Sequence, residues 1–153
     1  MPRASAWLVR TALLHLALGA GIGAVALAGK ASAALAFALA LRPVHVECIL
    51  IGWTLQLAFG VAYWILPRRP GGPRGGDAAR VWTAWALLNA GVLGAGLGGL
   101  PAAPGWALTS GRLAEVAAAV LFATHAWPRV RSYTPAQRGV TWPPARPSAP
   151  GAR

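Results

Sequence analysis

The side chains able to do chemistry are few: three histidines (His15, His45 and His125), one cysteine (Cys48) and three acids, among them Glu47 and Glu115. A single cysteine excludes an internal disulfide and any cysteine-built zinc or iron–sulfur site. No glycine-rich phosphate loop, Ser/His/Asp set or carboxylate pair appears, so hydrolase and kinase chemistry has no support. The informative stretch runs from Pro43 to Leu66. At about 100° per residue, His45, Gly52, Gln56, Phe59 and Tyr63 share one helical face, and Glu47, Leu50, Thr54, Ala58 and Val61 take the opposite side. A histidine two turns from a glycine on one face suits a flat, metal-bearing macrocycle. The imidazole reaches the metal, and the missing side chain lets the ring lie against the helix. The competing role for His45 is that of a helix-end histidine hydrogen-bonded to a neighbour's carbonyl.

The elements that must position these groups are apolar. The 153 residues are 56% hydrophobic, with mean hydropathy +0.52, and only 11% are charged, against roughly 25% in soluble domains. From Thr11 to Gly29 there are 19 uncharged residues, about 28 Å of helix, enough to cross a bilayer's hydrocarbon. Three further runs follow, and the sequence predicts spans over 8–29, 43–66, 80–100 and 106–127. The fold class expected is an all-α integral membrane protein, with four transmembrane helices in an antiparallel bundle over residues 1–128. Residues 129–153 form a basic, proline-rich cytoplasmic tail whose composition predicts disorder. Pro101 and Pro104 predict a tight turn between the third and fourth spans. Ala31–Leu41 is too short to span again, and is either an extension of the first helix or an interfacial helix. Arg3, Arg10 and the Ala31-Ser32-Ala33 triplet also fit a cleavable leader over 1–33, although the apolar run exceeds the usual leader core.

Charge sets orientation. A net charge of +11 would suggest nucleic acid in a soluble protein. Here the basic residues flank apolar runs, so the implied partner is an anionic lipid bilayer and not nucleic acid. Arg3 and Arg10 precede the first span; Arg68, Arg69, Arg74 and Arg80 lie between the second and third; Arg129, Arg131, Arg138, Arg146 and Arg153 follow the fourth. Only Lys30, Arg42 and Arg112 fall on the other side, so both termini are expected in the cytoplasm. Most of Trp7, Trp64, Trp82, Trp106 and Trp127 lie near span ends as an aromatic belt, while Trp53 sits inside a span. The pairs Gly19/Gly23 and Gly94/Gly98 signal close helix packing, within the chain or between chains.

The stretch Leu41–Arg68 resembles helix II of the haem–copper oxidase catalytic subunit, and is most similar to the C-family cytochrome oxidases and the nitric oxide reductases. The matching positions are Arg42, Pro43, His45, Gly52, Tyr63, Trp64, Pro67 and Arg68. The first span looks like that subunit's helix I, and the third and fourth match only in length and hydropathy. The resemblance implies haem b as cofactor, with His45 as axial ligand of the haem iron and Gly52, Arg42 and Gln56 around it. It further implies electron transfer or association with a respiratory chain in the bacterial cytoplasmic membrane. The family subunit has about a dozen helices and needs about six histidines or equivalent ligands. With four spans and three histidines, this chain is not a complete terminal oxidase on its own. Glu47 stands where relatives carry a neutral polar residue or a second histidine.

His15 and His125 are expected nearer the cytoplasmic side than His45, so neither fits as a second axial ligand. The alternatives are His45 of a second copy across a two-fold axis, a ligand from another protein such as a respiratory membrane subunit, or an open site. Arg112 and Glu115 are expected to form a local i,i+3 ion pair. Asn89 is expected to hydrogen-bond across helices, and His15 likewise. The alternative to a haem-binding protein is a cofactor-free accessory, assembly or scaffold membrane subunit.

Overall fold

The computed structural model describes residues 1–66 and 76–130, so Arg68, Arg69, Arg74 and all but the start of the tail lie outside the described residues. The described residues are helical apart from short turns, with no strand. Four helices are long and apolar enough to cross a membrane. They are α1 (Arg3–Ala28), α2 (Ala33–Ile65), α3 (Gly76–Gly98) and α4 (Gly105–Ala126). A turn of 3-10 helix, Trp127–Arg129, ends the last.

The 31–41 segment does not extend the first helix, which corrects that expectation. Gly29 closes α1, where a Cβ would stand 2.5 Å from Leu35 O. The chain then reverses, and Ala33–Leu41 winds as 3-10 helix directly into α2. The winding changes to α over Arg42–Glu47. Pro43 marks this change because it has no N–H with which to continue the tighter turn. Cys48–Leu55 is π-helical, and Gln56–Ile65 is α again. Thr54 Oγ1 donates to Ile49 O at 2.9 Å, five residues back, which follows the π spacing.

The predicted helical face holds in part. His45, Gly52 and Gln56 do share a side, and it faces α1. Phe59 and Tyr63, in the same α segment as Gln56, pack on Ala4, Leu8 and Val81 and reach across to α4 with their rings. Phe59 stacks on Phe122 with ring centroids 4.0 Å apart, and Tyr63 lies 5.5 Å from the His125 ring.

Helices pair in sequence. Along α1 and α2, Leu8 and Val9 meet Gly60, His15 meets Gly52, Gly19 meets Cys48 and Ile49, and Gly23 meets His45. Along α3 and α4, Gly91 meets Glu115, Gly94 meets Gly111, and Gly98 meets Ala107 and Leu108. Both predicted glycine pairs are therefore used inside the chain. The two hairpins join twice. At one end Pro43, Val44 and Glu47 of α2 lie on Gly96 and Gly99 of α3. At the other, Ala4, Leu8 and Val81 form a buried cluster lined by Phe59, Tyr63, Trp82 and Trp85. These are called below the Arg42 end and the Arg3 end. α3 is the central helix: 44% of its most apolar window is buried, against 11% for α1. The outward faces are apolar too, with Leu14, Leu18, Leu50, Leu93, Leu113 and Val116 all more than half exposed.

Candidate functional site

His45 sits one turn into the α segment that Pro43 opens. Its Nδ1 lies 2.7 Å from Gly19 O of α1. A carbonyl only accepts, so Nδ1 carries the proton, and Nε2 is the uncommitted nitrogen of the ring. Gly23 makes this approach possible, since a Cβ there would stand 2.6 Å from His45 Cε1. The imidazole forms part of a crevice of about 200 Å³ between α1 and α2, lined also by Ala26, Leu27, Lys30, Leu39 and Arg42. Lys30 and Arg42 are both exposed. Arg42 lines a second crevice as well, of about 230 Å³, with Pro43, Glu47, Gly99, Leu108 and Arg112.

The other two predicted cradle residues are elsewhere. The space left by the missing side chain of Gly52 holds the His15 imidazole, whose Cγ would stand 2.6 Å from a Cβ at Gly52. Gln56 is wholly buried. Its Nε2 donates to Leu8 O at 3.3 Å and to Thr11 Oγ1. Thr11 Oγ1 also accepts from Trp85 Nε1 at 3.1 Å and donates to Trp7 O at 2.8 Å. Neither Gly52 nor Gln56 lines the crevice that holds His45, Lys30 and Arg42. The structure thus brings Arg42 and His45 together, and gives Gly52 and Gln56 to the packing of α1 on α2.

The strongest polar assembly went unrecognised in the sequence. Glu47 is 3% exposed, on the side facing α3 and α4. Arg112 reaches it from α4, with Nη2 at 2.8 Å from Oε2 and Nη1 at 2.9 Å from Oε1. The same Nη1 lies 2.9 Å from Glu115 Oε2. The expected i,i+3 pair exists, and it is half of a cluster that ties α2 to α4. The available signal was depth: both carboxylates lie in apolar runs, and a buried carboxylate requires a cation at the same level.

The remaining groups stay apart. Asn89 Nδ2 donates to Trp85 O of its own helix at 2.7 Å, which corrects the cross-helix expectation. His125 is buried near the Arg3 end against Tyr63 and Phe122. Arg129 is buried with its guanidinium 5.8 Å from the Tyr63 ring centre. Cys48 is buried and free, opposite Gly19. Among the described residues no three His, Cys, Asp or Glu side chains are grouped to hold a metal ion. Comparison of the chain with protein-family models, curated proteins and solved structures finds no match.

Proposed function

We propose that this chain is a multi-pass protein of the bacterial cytoplasmic membrane, an antiparallel four-helix bundle with both termini in the cytoplasm, serving as a cofactor-free accessory or scaffold subunit. The exposed leucines and valines on all four helices support insertion, because a monomer in water does not present so much contiguous apolar surface. The arginine bias supports the orientation. The observation that carries the cofactor-free reading is the use made of the predicted cradle. His45 bonds Gly19 O, His15 fills the space at Gly52, and Gln56 bonds Leu8 O and Thr11, so each acts as a fastener between α1 and α2. Polar groups in hydrocarbon serve well in this role, since each interhelical hydrogen bond contributes about 0.6–2 kcal/mol.

Haem b on His45 is the second reading, favoured by one observation. A metal-bound histidine donates its other ring nitrogen to a carbonyl or carboxylate, as Nδ1 does here to Gly19 O. Nε2 of His45 would hold the iron, and Arg42 and Lys30 would hold the propionates; haem would supply one-electron transfer. The residues fit only at one edge. The crevice, at about 200 Å³, is below the roughly 300 Å³ from which small-molecule pockets begin. Gly52 and Gln56 lie outside it, and His15 and His125 are not at its mouth. The opposite face of a macrocycle would need a second copy or a respiratory subunit. Absorption spectra of protein purified from haem-supplied cells separate the readings: colourless, helical protein supports the first, and a Soret band lost in His45→Ala supports the second.

A further inference from the structure

We propose that the crevice between α1 and α2 at the Arg42 end binds the phosphodiester headgroup of an anionic phospholipid with a hydroxylated headgroup, of the phosphatidylglycerol type. The argument is one of charge. The chain has only three acids, Glu47, Asp77 and Glu115. Glu47 and Glu115 both bind Arg112. Asp77 stands in the first turn of α3, at the opposite end of the molecule. Neither Lys30 nor Arg42 has a carboxylate within ion-pair distance among the described residues. Both line the same crevice, so an anion seated between them meets two cations that hold no ion pair.

The rest of the crevice identifies the anion's source. Ala26, Leu27 and Leu39 make its wall, and Leu27 and Leu39 are 66% and 44% exposed. An inorganic ion gains nothing from that wall, whereas a lipid's acyl chain covers it. Lys30 follows the end of α1, and Arg42 opens the α segment of α2 after the 3-10 helix; with the span at 43–66, as the sequence reads it, Arg42 stands at headgroup depth. His45 lines the same crevice. With Nδ1 donating to Gly19 O, the Nδ1–H tautomer leaves Nε2 as an acceptor, and a glycerol hydroxyl of the headgroup is the matching donor. Phosphatidylcholine offers neither the net charge nor the hydroxyl.

The inference rests on the membrane placement proposed above. The test is reconstitution of the full chain into nanodiscs of mixed phosphatidylglycerol and phosphatidylcholine, followed by native mass spectrometry of the retained lipid. Failure to enter the discs would overturn the membrane reading itself. Given insertion, wild type should retain one phosphatidylglycerol per chain in preference to phosphatidylcholine. Lys30→Gln or Arg42→Gln should each reduce that preference about five-fold, and together about thirty-fold, as expected for two basic groups near a lipid phosphate. Both side chains are exposed, so neither change disturbs the packing, and circular dichroism checks this. Arg10→Gln, exposed at the other end, should leave retention unchanged. Equal retention of both lipids, an equal loss in Arg10→Gln, or displacement of the lipid by inorganic phosphate would overturn the proposal. So would co-purified haem released by the same two substitutions.

Discussion

A leucine at Gly52 would drive its Cβ to within 2.6 Å of His15 Cγ. Gly52→Leu should therefore cost about 1–3 kcal/mol through overpacking, read as a lowered unfolding temperature in detergent. His15→Ala in the same chain should recover much of it, with a coupling of about 0.5–3 kcal/mol; additive losses would show that the two residues do not share the space. The identity of Gly52, His45 and Gln56 as residues placed for a purpose was legible in the sequence, because polar and glycine positions stand out in an apolar run. Their partners were not. A glycine that admits a macrocycle and one that admits a neighbour's imidazole are the same letter, and only the register of α1 against α2 decides between them. Glu47 lies on the side opposite His45, where the angular projection puts it, because both residues precede the π segment.

At the scale of the elements, the Arg112 cluster is the main polar tie between α2 and α4. Arg112→Ala leaves two buried carboxylates facing each other. Breaking a fully buried pair costs roughly 3–5 kcal/mol, and half-exposure of the guanidinium lowers that figure. Arg112→Lys should restore little, because one ammonium cannot fork between two carboxylates. Glu47→Gln in the Arg112→Ala chain should recover stability, measured by thermal unfolding; a further loss would remove the cluster from the account. The α3–α4 pair depends on close approach. A Cβ at Gly111 would lie 2.2 Å from Ala95 N, while one at Gly21 meets nothing within 4 Å. Gly111→Leu should separate that hairpin, and Gly21→Leu should be tolerated, in the same unfolding assay. The four helices themselves were legible from uncharged run length. The attachment of Ala33–Leu41 to α2 was not, since it depends on where Gly29 lets the chain reverse.

For the whole molecule, orientation follows from the arginines. Eleven of the fourteen basic residues fall on the side of the termini, and this side is expected in the cytoplasm. In a Cys48→Ser background, a cysteine replacing Ala103 should react with an impermeant thiol reagent in whole cells, and one replacing Gly75 should not. The reverse pattern would invert the topology.

The central claim is that the predicted ligand set fastens helices and holds no cofactor. Its most direct test is the absorption spectrum of the purified, folded full chain from haem-supplied cells, taken alongside His45→Ala. The wild type should show no Soret band, and His45→Ala should unfold at a lower temperature from loss of the bond to Gly19 O. A Soret band stoichiometric with the chain, which disappears in a His45→Ala protein of unchanged helicity and stability, would contradict that claim.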